Sequence, residues 1–481
     1  MVRRHFIDGE EIVVVHDARS GDLVRMPPRA WALVEAADGT RDLGGLVLAA
    51  SQKGALRRTS EIVSVLTDLH AAGLLTDGID PFALVRGEAS VDASAPLDVL
   101  PFALSCDGSG SCCATYSTVR FTEEEASRAR ALLPGAASGR GRAFLPLAGS
   151  GAQLHVAATA IDGRCAYHSA DGACELHRTH GPGAKPSGCS LYPATFVFDG
   201  EAVRVSLGLE CACIEKSIGL GEGTPLVPAG AAVRGDLPEG AQIATLPERI
   251  EIAPGETAAR ADVVRLSRAA LRAWQQRAAG DGPRAGVDAI AALWSLGARV
   301  AGGDLSEAGA LAALAGPVAP SPEELAPWIA ALVQRTAAKR ESADRWRSPR
   351  DRVRVASALL ADVAASLRDE ATLAAALAGP GAPSARATGP SRRDVEAFYV
   401  TANLHGHALV GEIPLAHALR DRAIRLLLSR AVPARTTSIQ GVDPGVAHPL
   451  PLVEAMMRAQ GLKEYTREAS QSLAPVVDGS E

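Results

Sequence analysis

The residues of this chain best suited to chemistry are its cysteines, and they are gathered in one stretch. All 8 lie between Cys106 and Cys213 in a chain of 481 residues, and both flanking segments contain none. Thiols used only for core packing would not leave both flanks empty. Because cysteine thiolates are ligands of zinc and of iron–sulfur clusters, the clustering predicts a metal site. Its predicted ligands are Cys106, Cys112, Cys113, Cys165, Cys174, Cys189, Cys211 and Cys213.

Two other interpretations of these cysteines remain open, disulfide bonds and ordinary core packing. Disulfides suit an even number of cysteines in an exported chain. The N-terminal sequence meets Asp8 and Glu10 before any apolar run develops, so no secretory signal is predicted. Core packing explains single thiols but not the adjacent pair Cys112 and Cys113 beside the others. Metal ligation is therefore the favoured interpretation.

The spacing of the cysteines favours an iron–sulfur cluster over zinc. Structural zinc sites commonly use a short knuckle of two cysteines separated by two to four residues. That spacing does not occur here, since Cys112 and Cys113 are adjacent and one residue separates Cys211 from Cys213. Iron–sulfur clusters follow looser spacing rules, so a 4Fe-4S cluster is expected first and zinc second. The thiols would suffice for two cubanes, for one cluster plus redox thiols, or for two zinc sites.

The segment between Cys165 and Cys174 has the composition of a hairpin. Asp171 and Gly172 favour a tight turn that would bring the two thiols together, a geometry that suits shared ligation. Three histidines near these cysteines are able to replace a thiolate ligand, but a position beside the ligands or at the surface is the favoured interpretation. They are His168, His177 and His180.

Several spaced elements of this stretch resemble the YkgJ-type cysteine-cluster family, which is described as zinc- or iron-chelating. One is a leading set that ends in Cys112-Cys113, and Cys211 with Cys213 matches the trailing cysteine of the family. The others are Gly163-Arg164-Cys165, Asp171-Gly172-Ala173-Cys174-Glu175-Leu176-His177 and Lys185-Pro186-Ser187-Gly188-Cys189-Ser190-Leu191-Tyr192-Pro193. The resemblance implies a metal-binding domain over residues 98–216. This chain departs from the pattern because residues 107–111 lack a cysteine that the family usually has there, which leaves the exact ligand assignment open.

Longer members of that superfamily resemble flagellin lysine N-methylases, in which a cysteine cluster precedes a largely helical part. This chain has the same layout, and residues 394–428 are similar in character to the helical tail. The resemblance implies a protein-lysine N-methyltransferase that uses S-adenosylmethionine. The attacking amine must be neutral, and Glu210 is the candidate carboxylate that would accept its proton. The alternative function is a non-enzymatic metal-binding or redox-sensing adaptor.

Residues 1–80 predict a separate winged-helix pattern, a hairpin followed by three helices. Residues 12–15 and 23–26 are the predicted strands, a helix begins at Pro27-Pro28, and apolar spacing marks further helices near 43–47 and 62–69. The stretch 16–24, Trp31 and residues 69–75 resemble the PqqD-like peptide-recognition domain. The resemblance implies a peptide partner that adds to the hairpin edge as a strand. Simple packing against the rest of the chain remains open.

Beyond the cysteines the apolar residues recur at helical spacing. Residues 79–100 read as a linker, 102–104 and 119–121 as short strands, and Thr122 as the N-cap of a helix. A second hairpin is predicted around Asp199-Gly200. Residues 258–465 predict a bundle of about six to eight helices, with one face formed by Val355, Leu359, Val363 and Leu367, and with breaks at 317–322 and 379–390. Residues 466–481 are predicted to be a disordered tail.

The predicted fold class is therefore α+β and mainly α. It combines an N-terminal winged-helix-like domain, a small irregular cysteine-cluster domain and a C-terminal helical bundle. The net charge of −6 argues against a nucleic-acid partner, and no apolar run of about 20 residues predicts a membrane span. The sequence contains no dinucleotide-binding glycine motif after a predicted strand and no Walker motif. His405 and His407 are interpreted as a helix-end pair, and a cytoplasmic location is expected.

Overall fold

The computed structural model of the chain describes residues 2–7, 10–16, 23–36, 91–106, 120–133, 144–146, 154–157, 165, 167–169, 173–211, 213–218, 220–238, 241, 243–278, 288–346, 352–378, 390–411, 413–432 and 449–459. This part of the chain is mixed α and β and mainly helical, which confirms the predicted fold class at that level. No described helix combines the length and the apolar character that crossing a membrane requires.

The N-terminal residues form a three-stranded antiparallel sheet followed by a helix. The strands β1 (Val2–Ile7), β2 (Glu10–His16) and β3 (Leu23–Met26) are arranged in the order β1-β2-β3. Helix α1 (Pro28–Ala36) follows, and Val13, Met26 and Ala30 form the small core between sheet and helix. The two predicted strands and the first helix are confirmed, and β1 is an additional strand. The other two predicted helices lie outside the described residues.

The described residues include a four-stranded sheet with the order β12-β9-β10-β4. Its strands are β4 (Leu97–Val99), β9 (Ala194–Phe198), β10 (Val203–Leu207) and β12 (Ile243–Thr245). Strands β9 and β10 pair in antiparallel fashion across Asp199-Gly200, as predicted. Gly200 has a φ of 100°, a backbone conformation that glycine adopts without strain.

Strand β4 corrects the prediction that residues 79–100 are a linker. It pairs in parallel with β10, and Val203 N donates to Pro96 O at 2.8 Å while Leu100 N donates to Val205 O at 2.8 Å. A three-residue strand carries too few side chains for a visible alternation. Its pairing partner also lies far away along the sequence, so local composition could not show it.

Two further small sheets are formed by segments that lie near the first cysteines in the sequence or, in the case of β11, beyond the last one. The pair β5 (Ala103–Leu104) and β11 (Thr224–Pro225) confirms the short strand predicted at 102–104. The strands β6 (Arg120–Thr122), β7 (Phe144–Pro146) and β8 (Leu154–Ala157) form a sheet with the order β6-β8-β7. Helix α2 (Glu123–Leu132) follows β6 directly, and Thr122 is its N-cap in a capping box with Glu125, as predicted.

Short helices and one hairpin connect these sheets to the bundle. The helices are α3 (Glu175–His180), α4 (Ser187–Leu191) and α5 (Cys213–Ser217). The hairpin consists of β13 (Arg249–Ala253) and β14 (Glu256–Ala259), which pair in antiparallel fashion just before the first long helix.

The C-terminal half is helical, as predicted, but the described residues alone contain nine helices rather than six to eight. They are α6 (Arg260–Ala278), α7 (Ala289–Ala301), α8 (Glu307–Ala315), α9 (Pro322–Trp346), α10 (Arg352–Ser366), α11 (Glu370–Leu377), α12 (Arg392–His405), α13 (Leu415–Ala431) and α14 (Leu450–Ala459). Short alanine-rich helices such as α8 and α11 show little hydrophobic periodicity, which explains why fewer helices were predicted from the sequence. Val355 is exposed instead of sharing the buried face with Val363 and Leu367.

One main hydrophobic core joins the four-stranded sheet to the helical bundle. Val203 and Val205 of β10 belong to it together with Trp274 of α6 and Leu426 of α13. A second, much smaller core contains Ala126, Ala129, Tyr167 and Leu176. The predicted domain boundaries near 216 and 258 remain predictions, since residues from both sides of them contribute to the main core.

Candidate metal centre

Cys165 and Cys174 lie on the two arms of a hairpin. His168 and Cys174 form an antiparallel bridge, and Glu175 N donates to Tyr167 O at 2.8 Å. Ser169 N donates to Ala173 O at 3.0 Å, which closes the hairpin toward its turn. The predicted hairpin is thus confirmed in its arms, while the turn residues 170–172 lie outside the described residues.

Cys189 packs against the same small core from helix α4. Its position depends on Glu125, whose Oε1 accepts a hydrogen bond from Ser187 N at 2.7 Å. The other oxygen of the same carboxylate accepts from Thr122 N at 2.9 Å. One carboxylate of α2 therefore connects the start of α4 to the end of β6.

Three thiols, two from the hairpin and one from α4, each pack against the small core. Cys165, Cys174 and Cys189 are half-buried, and all three pack against the cluster formed by Ala126, Ala129, Tyr167 and Leu176. We call Cys165, Cys174 and Cys189 the hairpin thiols. The sequence prediction that Cys165 and Cys174 are brought into one neighbourhood agrees with this arrangement.

The pKa of Tyr167, a buried residue of the small core, is shifted by its surroundings. Burial raises the pKa of Tyr167 to about 12, the neighbouring Cys165 acts in the same direction, and Arg130 opposes both. The phenol therefore stays protonated at neutral pH.

Cys211 and Cys213 lie in a different place, the main core. Each is 4% exposed, and both pack with the sheet and the helical bundle. Ile214 N donates to Cys211 O at 3.1 Å, and Ser217 Oγ donates to Cys213 O at 2.7 Å. We call Cys211 and Cys213 the core thiols.

The remaining predicted ligands precede strand β6. Cys106 is exposed, and its neighbour Ser105 donates through N to Ser217 Oγ at 2.9 Å, so Cys106 lies beside α5. Cys112 and Cys113 lie outside the described residues.

The donor chemistry of these sites suits a thiophilic metal, but the described side chains do not complete a ligand sphere. Within the described ranges, no three or more His, Cys, Asp or Glu side chains are grouped so as to hold a metal ion. Since two of the predicted ligands fall outside those ranges, the metal site remains a prediction.

The other residues singled out from the sequence occupy diverse surroundings. His180 is exposed, with Nε2 3.1 Å from Leu132 O, while burial and then Lys185 lower the pKa of the partly buried His177. Glu210 is buried beside Cys211, where its carboxylate crowds the position that a Cβ on Gly208 would take.

A buried polar cluster that the sequence did not reveal joins helix α12 to the four-stranded sheet. Asp199 Oδ2 accepts from Arg204 Nε at 2.7 Å and lies 3.6 Å from His407 Nε2. Arg204 also pairs with Asp98, and His405 Nε2 lies 3.0 Å from Asp98 O. Helix α12 ends at His405, which confirms the helix-end interpretation of the histidine pair. In the sequence, this cluster could have been recognised from Arg204, a charged residue within the otherwise uncharged strand β10.

A second buried network lies within the helical bundle. Tyr399 donates through its hydroxyl to Glu454 Oε1 at 2.6 Å, and Arg425 donates to Glu454 Oε2 at 2.8 Å and to Asp421 Oδ2 at 2.7 Å. Since Glu454 belongs to α14, this network fixes the last described helix against α12 and α13.

Comparison of the chain with protein-family models, with curated proteins and with solved structures finds no match. The functional conclusion therefore depends on the residues themselves and their arrangement.

Proposed function

We propose that this chain is a metal-binding protein whose centre is held by cysteine thiolates, with an iron–sulfur cluster preferred over zinc. The observation that carries the proposal is that Cys165, Cys174 and Cys189 each pack against one small core. These residues come from a hairpin and a separate helix, and ordinary core packing does not require a thiol at all three positions. A bound metal would supply positive charge among the thiolates and a link between these chain segments.

The finer proposal is methyl transfer from S-adenosylmethionine to a lysine of a protein or peptide substrate. It rests on the resemblance in layout, a cysteine cluster followed by helices. The N-terminal sheet would receive the substrate segment at the outer edge of β1, where Arg4 is exposed. Glu210, a buried carboxylate next to Cys211, would accept the proton of the lysine amine.

The deciding experiment is anaerobic purification of the full chain, followed by analysis of iron, zinc and acid-labile sulfide. Iron together with sulfide and a broad absorption band near ~400 nm is the expected result for a thiolate-held cluster. Zinc without sulfide would identify the other metal. Purified protein that carries neither metal and takes up neither on reconstitution would refute the proposal.

Binding of S-adenosylmethionine tests the finer proposal independently of the metal. Isothermal titration calorimetry of the metal-loaded protein should show saturable binding of S-adenosylmethionine or of its demethylated product. A metal-loaded protein without such binding would instead be the adaptor, in which the metal serves structure or redox sensing.

A further inference from the structure

We propose that Arg420, together with Trp294 and His417, forms a binding site for a small oxyanion, either a phosphate or a carboxylate group. The site lies in the helical bundle, where side chains of α7, α9 and α13 are in contact. It uses none of the cysteines, so it is independent of the proposed metal-binding function.

Four side chains of the bundle form one contiguous group. The Arg420 guanidinium lies over the Trp294 ring, with Cζ 5.2 Å from the ring centroid. The centroid of the Trp328 ring lies 6.0 Å from that of Trp294 and 5.8 Å from that of His417, both in edge-to-face contact. His417 and Arg420 are three residues apart on α13 and therefore share one face of that helix. A Cβ on Gly297 of α7 would lie 3.2 Å from Arg420 Cγ, so the glycine leaves room for this arginine.

Three buried polar atoms of this group have no hydrogen-bond partner in the part of the chain that the structure describes. They are Trp294 Nε1, His417 Nδ1 and Arg420 Nε, and the Trp294 and His417 residues are each only 5% exposed. The nitrogens of Trp294 and Arg420 carry hydrogens and can only donate. Because buried donors are normally paired with an acceptor, this group lacks an acceptor that a ligand would supply.

The charge of Arg420 selects a negatively charged acceptor. Arg425 and Arg430 of the same helix contact carboxylates at 2.7 Å, whereas Arg420 forms no ion pair with the described residues. Burial lowers the pKa of Arg420 and the carboxylate of Glu324 opposes this shift, but Glu324 is exposed and already accepts from Ser321 N at 2.8 Å.

An oxyanion meets both requirements of the site. A water molecule could accept from the donors, but it would leave the arginine charge without a counter-ion. Arginine binds carboxylate and phosphate oxygens through its planar set of N–H donors. Arg420 is partly exposed as a residue, so the site borders the solvent from which the anion would come.

Isothermal titration calorimetry of the full-length protein tests the site. Sodium phosphate and sodium acetate are titrated separately, at an ionic strength kept constant with sodium chloride. Saturable binding of at least one anion is expected, and Arg420→Met should bind it at least about tenfold more weakly, because hydrogen bonds to a charged group are lost. Arg265→Met is the matched control, since Arg265 pairs with Asp262 at the surface, and it should bind like the unchanged protein. Binding of phosphate alone identifies a phosphate ligand, and binding of acetate identifies a carboxylate.

Two further readouts separate binding from a purely structural role of Arg420. Trp294→Phe keeps a ring beneath the guanidinium but removes the N–H donor, and it should weaken binding about 3–10-fold. Arg420→Met keeps the apolar stem, so without anion its melting temperature should not fall, and the anion-induced rise of the melting temperature should be lost. Absence of saturable binding for both anions would overturn the proposal. So would a lower melting temperature of Arg420→Met combined with unchanged anion binding. Both results can be obtained whatever metal the protein carries.

Discussion

His407 Nε2 lies 3.6 Å from Asp199 Oδ2, and both side chains are fully buried. His407 follows the C-terminus of α12 and has a positive φ of 49°, while Asp199 begins the turn between β9 and β10. The contact therefore joins the helical bundle to the four-stranded sheet. Arg204 and Arg268 approach the same carboxylate at 2.7 Å and 3.3 Å, which makes Asp199 the shared anion of this junction.

Asp199→Asn should destabilise the protein strongly. The substitution leaves Arg204 and His407 without their buried carboxylate, and breaking a buried charge cluster from one side costs about 3–5 kcal/mol. Urea unfolding followed by circular dichroism measures the change. Glu201→Gln is the matched control, because Glu201 pairs with Arg268 at the surface and exposed pairs contribute at most about 1 kcal/mol. Equal effects of the two substitutions would contradict the central role of Asp199.

The free energy of unfolding should fall as the pH is lowered from 6.5 toward 4. Burial, and then Arg204 and His407, lower the pKa of His405 to about 4, and burial with Arg420 lowers the pKa of His417 to about 4. In that interval the unfolded chain binds protons at these histidines and the folded chain does not, so acid favours unfolding. The expected loss is about 1–2 kcal/mol per histidine between pH 7 and pH 5.

Urea unfolding at both pH values checks this expectation with two variants and a control. His405→Gln and His417→Gln should each reduce the pH dependence, and His180→Gln, at an exposed position, is the matched control variant. The titration of Asp199 does not affect this comparison of the histidine variants. Burial alone would raise its pKa, but His407 and the backbone N–H groups of Ala202 and Glu201 hold the pKa below its usual value of 3.8. The stability that Asp199 contributes is therefore present above pH 3.8 and is lost only as the pH falls through its lower folded-state pKa.

Glu125→Ala should weaken metal binding without removing any thiol. The Glu125 carboxylate accepts from Ser187 N at the start of α4 and from Thr122 N at the end of β6, so its loss frees Cys189 from its fixed position. Loss of groups that orient metal ligands typically costs about 10–100-fold in affinity. Competition with a chromogenic chelator measures the affinity. The neighbouring exposed residue provides the control Glu124→Ala, and an equal loss in both variants would show that Glu125 has no positioning role.

Gly406→Ala should separate α12 from the sheet for steric reasons alone. Gly406 has a φ of −84°, which alanine adopts without strain, but a Cβ there would overlap the Ser206 side chain of β10. Overpacking of this kind costs about 1–3 kcal/mol. Thermal unfolding measures the effect against Gly411→Ala, where an added Cβ meets no atom within 4 Å. An unchanged melting temperature in Gly406→Ala would disprove the close packing of this junction.

The sequence alone determined those helices and turns that depend on residues only a few positions apart along the chain. Thr122 followed by acidic residues predicted a capped helix, and the structure shows the capping box with Glu125. Asp199-Gly200 between apolar strands predicted the β9–β10 hairpin, and the order of its pairing is confirmed. Capping and tight turns depend on side chains close in sequence, so the sequence alone was sufficient for them.

Tertiary structure decided what depends on residues far apart along the chain. The parallel pairing of β4 with β10, the contact of Asp199 with His407 and the separation of the cysteines between two cores leave no local pattern. The cysteine spacing alone marked out one cluster of eight possible ligands. Which core each thiol enters is set by long-range packing, because α4 presents Cys189 to one core and Leu191 to the other.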